Sequence, residues 1–364
     1  MLSRGRTGVL AVASASPAHV ITQAQAKAFA RSFFDDYFMG RDGAVIDRFL
    51  GAYDNAGVET RQLARPHDWY QQLHSFPDKN AAYIEQAVPL ARRAGELALQ
   101  RAGLDPTEVG AIVFASSTGL STPSLDARLV QELGLARDVA RVPLWGLGCA
   151  GGSAGLARAR TLAMGLGKPV LVIACELCSL TFMHGDRRSA NLIAVALFGD
   201  GAAAVVVAPE PWWDPQNPAC GPELLGGYSR LLDDSEDIMG WDLADEGLRV
   251  RFSPTIPGLV IQHGPQLVAD AAGVIGLGAE QLKHLVFHPG GRKVLDAYDQ
   301  ALGLEPDRLR HARAVLREHG NMSSPTVLFV FERFLADPQT RSNQPGLLLG
   351  LGPGFCAEGV LFRW

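Results

Sequence analysis

The strongest constraint on how this chain folds is an order of elements that occurs twice. In the first half, VGAIVFAS (109–116) is a buried-strand run, and VPLWGLGCAGGSAGLARARTLAMGLG (142–167) is a turn entering a small-residue helix. PVLVIACEL (169–177) is a second strand, and AAAVVVA (202–208), after the glycine turn FGDG, is a third. In the second half, HLVFHPGG (284–291) is a strand ending in a glycine turn, and GNMSSPTVLFVFERFL (320–335) is a turn entering a helix. PGLLLGLGPGF (345–355) runs from strand into a Gly-rich turn, and CAEGVLFR (356–363) is a final strand. Short apolar runs bounded by glycine are the signature of strands buried on both faces. Given twice, this order predicts an α/β chain of layered sheets and helices, internally duplicated, with helices buried between the sheets. The Pro-rich stretch PEPWWDPQNPACGP (209–222) is the expected linker between a half at 1–208 and a half at 223–364.

The first hundred residues carry less pattern. Residues 80–102 have helical apolar spacing with one proline inside. Arg4 and Arg6 precede GVLAVASASPA, which has the outline of a secretion signal. Gly, Ser and Ala dilute that run, and a first strand explains GVLAVASA equally well. No stretch approaches the about 18 consecutive apolar residues of a membrane span, so no membrane insertion is expected.

Composition narrows the function classes. A chain of 364 residues with 47% apolar content can bury a large core. A net charge of -5 gives no electrostatic footprint for nucleic acid. Five cysteines, Cys149, Cys175, Cys178, Cys220 and Cys356, are too few and too scattered for a disulfide framework. Free thiols fit a reducing compartment, and a cytoplasmic enzyme is the expectation.

Three residues can carry chemistry. Cys149 stands among small residues in GLGCAGG, where a helix is expected to begin. Unpaired N–H groups and the positive end of a helix dipole favour a thiolate there; the alternative is a packed cysteine in a tight turn. His288 ends the run HLVF at a glycine turn. It is either a core histidine or a partner that supports the thiolate and donates to a carbonyl oxygen. Asn321 precedes a helix and is either its N-cap or an amide donor aimed at an oxyanion. Together the three fit one reaction: Cys149 takes an acyl group from a thioester, and His288 and Asn321 hold the malonyl thioester carbonyl while loss of carbon dioxide makes an enolate. The enolate attacks the acyl-Cys149 thioester, with no metal, redox cofactor or carboxylate base.

In this order the motifs resemble the chalcone and stilbene synthase family, the type III polyketide synthases. GLGCAGGSAGLARA resembles its nucleophile region, ALFGDGAAAVVV its gate-bearing turn and FHPGGRKVLDAYDQALGL its histidine motif. REHGNMSSPTVLFVFE resembles its asparagine motif, and LLLGLGPGFCAEGVLFRW its C-terminal loop and strand. The likeness runs from about Val12 to Trp364. It implies a thiolase fold of duplicated αβαβα layers, a homodimer, and Cys149, His288 and Asn321 as the catalytic group. It implies no cofactor beyond CoA thioester substrates, with an acyl-CoA starter and malonyl-CoA as partners.

The resemblance also places Phe198 as a gating aromatic. Val250 stands where a second aromatic gate is often found. Ser117, Cys178 and Thr181 fall on cavity positions, Gly352 and Pro353 on the cavity-shaping turn, and Thr122 on a loop that reaches the partner subunit. Arg48 alone keeps a CoA-contacting charge, Gly51 and Asn55 standing at the other two positions. ETRQLARPHDWY and GWDLADEGL resemble bacterial members. The missing aromatic at Val250 points to a fatty acyl starter and an alkylpyrone or alkylresorcinol product. The alternatives are a tetrahydroxynaphthalene synthase using malonyl-CoA alone and a β-ketoacyl carrier-protein synthase III-like enzyme. A non-catalytic subunit is disfavoured by the intact trio. A thiolase would call on Cys356 as a second catalytic cysteine. The pair Cys175 and Cys178 reads as wall packing rather than a redox or zinc site, and the acidic run at 233–237 as a solvated loop.

Overall fold

The computed structural model describes residues 5–33, 43–217 and 219–364, with the side chains of 43–48 outside the description. Its strands are β1 (Thr7–Ala15), β2 (His19–Thr22), β3 (Thr60–Leu63), β4 (Ala111–Ala115), β5 (Ala140–Leu144), β6 (Val170–Leu177) and β7 (Asp200–Pro209). The second half adds β8 (Glu223–Leu231), β9 (Met239–Ala244), β10 (Gly247–Phe252), β11 (His284–Phe287), β12 (Pro345–Gly352) and β13 (Cys356–Arg363).

The duplication is visible in the pairing. In the first half β4 runs parallel to β6, β6 antiparallel to β7, and β7 antiparallel to β1. In the second half β11 runs parallel to β12, β12 antiparallel to β13, and β13 antiparallel to β8. β5 extends the first set at its edge. The two sets join where Gly8 of β1 pairs with Glu223 of β8, giving the order β11-β12-β13-β8-β1-β7-β6-β4-β5. This is the duplicated αβαβα thiolase fold.

β4, β6, β7 and β12 are buried along their whole length, because helices cover both faces. The helix Gly151–Leu166 packs on strands of both halves, and Thr326–Ala336 packs on β1, β7, β11 and β12 and on the first helix. Both buried helices need small or wholly apolar surfaces. The first supplies GGSAG and the second VLFVF. The long helix Phe76–Ala102 covers the outer face of β1, β6 and β7; it is closed by a capping box from Ser75 and Asp78 and ended by left-handed Gly103. Among the described residues no helix is long and apolar enough to cross a membrane.

Three pairings went unread in the sequence. β8 alternates buried and exposed residues, and the hairpin β9–β10 carries Asp242, Arg249 and Arg251 on a partly exposed ribbon. β2 and β3 form a short ribbon of their own. That hairpin and the β2–β3 ribbon matter to the site described next.

Candidate active site

Two buried helices and one strand end bring the three expected residues to one place. Cys149 lies in the short turn Gly148–Ala150 that leads into helix Gly151–Leu166. Gly148 has φ +47°, and a Cβ there would stand 2.8 Å from Pro353 Cδ. A Cβ at Gly152 would stand 2.3 Å from the Ser324 carbonyl oxygen, so this glycine lets the helix rest on the loop carrying Asn321. The Cys149 Sγ lies 3.9 Å from Asn321 Oδ1 and 4.0 Å from its Nδ2.

Asn321 is fully buried and caps no helix, since that helix begins at Thr326 with Pro325 before it. Its Oδ1 accepts from Ser323 N at 2.8 Å, and Ser323 is held at φ +59°. Its Nδ2 donates to Gly290 O at 3.3 Å, tying the asparagine to the histidine turn. His288 follows β11, and its N–H extends the ladder to Leu349 O at 2.8 Å. The residue is 5% exposed, and neither Nδ1 nor Nε2 has a partner among the described residues. A buried imidazole with both nitrogens idle is an orphan that substrate can satisfy.

The electrostatics reverse one expectation. Burial pushes the Cys149 thiol up to about 11, against the hydrogen bonds of Ser323 and Asn321, which pull it down. Burial alone lowers His288 to about 3. Burial thus pushes both groups towards their neutral forms, a thiol and an unprotonated imidazole. Alkylation of Cys149 by iodoacetamide is therefore expected to rise about tenfold per pH unit between about pH 7 and about pH 9, because only the thiolate reacts. A rate flat over that range would show a preformed thiolate–imidazolium pair instead.

Behind Cys149 lies a residue that sequence reading passed over. Glu176, between Cys175 and Cys178, is fully buried. It accepts from Ser117 N at 2.9 Å, Ser117 Oγ at 3.1 Å, Thr118 Oγ1 at 2.8 Å and Ser324 Oγ at 2.9 Å. Burial raises its pKa against these four bonds. The carboxylate thus joins the end of β4 to the Asn321 loop. Its one signal in the sequence is an acid inside an otherwise apolar strand. Glu176→Ala strands several buried donors, and denaturant unfolding is expected to show a loss of about 3 kcal/mol or more.

Cys149 opens on a cavity of about 390 Å³ whose wall includes Cys178, Phe198, Trp241, Val250, Phe252 and Pro353. A second cavity of about 600 Å³ shares Cys178, Phe198 and Val250 with the first and is otherwise mostly apolar, with Phe29, Leu63 and Phe182 in its wall. Thr181 lines the second, its hydroxyl bonded to Cys178 O at 2.7 Å. Ser117 is on neither wall; its hydroxyl is turned to Glu176. Gly352 ends β12 beside the Cys149 turn. The side chain of Arg48 lies outside the described residues. Cys175 Sγ packs 3.7 Å from Ala87 O, and all five cysteines are free. No three His, Cys, Asp or Glu side chains gather as a metal site among the described residues.

The missing aromatic at Val250 is made good by its neighbours. Val250 faces Trp241 across the β9–β10 register. Phe198 meets Trp241 edge-on at 6.4 Å and Phe252 at 6.5 Å between ring centroids. The passage beside Phe198 is therefore aromatic on two sides, although Val250 itself is aliphatic.

Comparison with known proteins agrees with this architecture. The family profile "Chalcone and stilbene synthases, N-terminal domain" matches residues 1–211, and the C-terminal domain profile matches 223–364. The chain is 39% identical to a 1,3,6,8-tetrahydroxynaphthalene synthase of Streptomyces peucetius subsp. caesius, covering 100% of this chain and 94% of that one. It is also 39% identical to a protein of Bacillus subtilis (strain 168) named provisionally as a chalcone synthase, covering 98% of both. The crystal structure of 1,3,6,8-tetrahydroxynaphthalene synthase from Streptomyces coelicolor A3(2), a bacterial type III polyketide synthase, superposes with a TM-score of 0.90 at 30% identity, over 98% of this chain and 99% of that one.

Proposed function

Because this chain belongs to the chalcone and stilbene synthase family, the type III polyketide synthases, we propose that it condenses malonyl-CoA iteratively through Cys149 and uses malonyl-CoA as starter as well as extender. The observation that carries the condensing role is the contact of the Cys149 thiol with the Asn321 amide, whose Nδ2 also bonds the turn that follows His288. The choice of starter is supported by the two relatives that make 1,3,6,8-tetrahydroxynaphthalene and by the aromatic wall of Phe198, Trp241 and Phe252.

Each step follows from the groups present. With its thiol raised to about 11, Cys149 loses its proton as it attacks the incoming thioester, and a free His288 nitrogen accepts that proton. CoA leaves as a thiol. The neutral His288 N–H and the Asn321 Nδ2–H then donate to the thioester oxygen of the next malonyl-CoA. Carbon dioxide departs, and the electron pair passes into an enolate whose negative oxygen faces two fixed donors. The enolate carbon attacks the acyl carbonyl on Cys149 and expels the thiolate, which leaves the lengthened chain on CoA. The thiolate then attacks that thioester and releases CoA, so each cycle frees one carbon dioxide and one CoA and adds one two-carbon unit to the chain on Cys149. Five such units supply the carbons of a naphthalenetetrol.

A fatty acyl starter is the second reading, and the mostly apolar second cavity of about 600 Å³ is the observation that favours it. Incubation of the purified protein with malonyl-CoA alone, and with malonyl-CoA plus acyl-CoAs from acetyl to palmitoyl, separates the two by mass spectrometry. The naphthalenetetrol from malonyl-CoA alone is the expected product. Alkylpyrones or alkylresorcinols that appear only with long starters would move the assignment to the second reading.

A further inference from the structure

The second cavity contains a charge that the condensation leaves unused. Arg61, on β3, is 1% exposed and lines this space beside Phe29, Leu63 and Tyr70. Its Nη1 donates to the carbonyl of Val195, while Nε and Nη2 have no partner among the described residues. The buried carboxylates of this half are engaged elsewhere. Asp200 accepts from Ala64 N, Ser179 N and Ser179 Oγ, and Glu176 from Ser117, Thr118 and Ser324. Tyr53, the group that acts on Arg61 electrostatically, donates its hydroxyl to Leu192 O at 3.1 Å.

An unpaired buried guanidinium is among the costlier things a fold can hold, and a leucine would fill the same space without the charge. Burial lowers its pKa to about 10, which still leaves it charged at neutral pH. The two idle donors are the adjacent pair along one edge of the guanidinium, the fork that grips a carboxylate with two parallel bonds. Arg6 uses that same pair on Glu223, with Nε to Oε1 at 2.9 Å and Nη2 to Oε2 at 2.6 Å. Arg61 instead lines a mostly apolar space whose walls at Cys178, Phe198 and Val250 are shared with the Cys149 cavity.

We propose that Arg61 recognises a carboxylate at the far end of the acyl chain carried on Cys149, which makes the second cavity a binding site for ω-carboxyacyl groups. A chain extending from Cys149 past Cys178 lays its methylene or ketide stem along the apolar wall and delivers its anionic end to Nε and Nη2. The proposal rests on acylation at Cys149 and not on which starter is native.

The test is single-turnover acylation of Cys149, read by intact-protein mass. Dicarboxylic acyl-CoAs from succinyl to sebacyl are compared with monocarboxylic acyl-CoAs of equal chain length, in the wild type and in Arg61→Gln. At the lengths that span the cavity, the wild type is expected to favour the carboxylate-ended chain by at least about tenfold, as a polar site rejects a partner lacking the matching group. In R61Q that ratio is expected to fall towards one. Equal rates at every length in the wild type, or a preference that survives R61Q, would overturn the proposal. So would a loss in R61Q that is equal for both chain types and absent with the matching pantetheine thioesters, which would assign the fork to a CoA phosphate. Should R61Q fail to fold, the wild-type comparison decides alone. No acylation of Cys149 by any thioester would instead remove the condensing reading itself.

Discussion

Replacing Cys149 by alanine is expected to abolish polyketide formation, a fall of at least about a thousandfold, while decarboxylation of malonyl-CoA continues. The two halves of this result come from different atoms. In the proposed reaction Sγ holds the acyl chain, so without it no electrophile awaits the enolate. Carbon dioxide loss asks only for donors to the thioester oxygen, and His288 and Asn321 keep theirs in the variant. Alanine is smaller than cysteine and strains nothing in the turn Gly148–Ala150, where the crowding comes from the glycine backbone against Pro353. Release of labelled carbon dioxide, measured beside product formation, checks both halves. Loss of both together would mean that Cys149 also activates the malonyl group.

Asn321→Ala is expected to give the complementary pattern, in which decarboxylation and condensation fall together. Removing one preorganised donor to a developing oxyanion costs about 3–4 kcal/mol, or roughly 10²–10³ in rate. The side chain has no helix to cap, and its backbone bridge to Phe198 and hydrogen bonds to Leu197 and Gly199 remain, so the loop is expected to hold. Acylation of Cys149 should survive, since that step uses the thiol and a histidine nitrogen. His288→Ala removes the second donor and the proton acceptor together, and is expected to slow acylation as well. These three variants give three different profiles of acylation, decarboxylation and condensation, which a generic loss of folding does not imitate.

Much of the fold was legible because its strands are buried on both faces and therefore apolar without interruption. VLVIACEL and PGLLLGLG admit few other readings. β8, β9 and β10 were not legible, because a half-exposed ribbon carries arginines and aspartates that read as loop. That gap had a cost at the site: Trp241 and Phe252 join Phe198 only through the β9–β10 register, so Val250 taken alone did not reveal the aromatic rings around it. Cys149, His288 and Asn321 were legible through their motifs, but their protonation was not. The helix terminus suggested a thiolate, and the depth of burial, which a sequence does not state, outweighs it. Glu176 and Arg61 illustrate the same limit. Each is one charged letter in a strand, and what distinguishes it is a fully buried side chain that accepts hydrogen bonds from Ser117, Thr118 and Ser324 in one case and has idle donors in the other.

The central claim is that Cys149 carries the growing chain. Enzyme quenched during turnover on malonyl-CoA and digested for mass spectrometry tests it directly. Adducts on the Cys149 peptide are expected to form a ladder, successive members differing by one ketide unit. A ladder on Cys178 or Cys356, or product formed with Cys149 unmodified throughout, would contradict it.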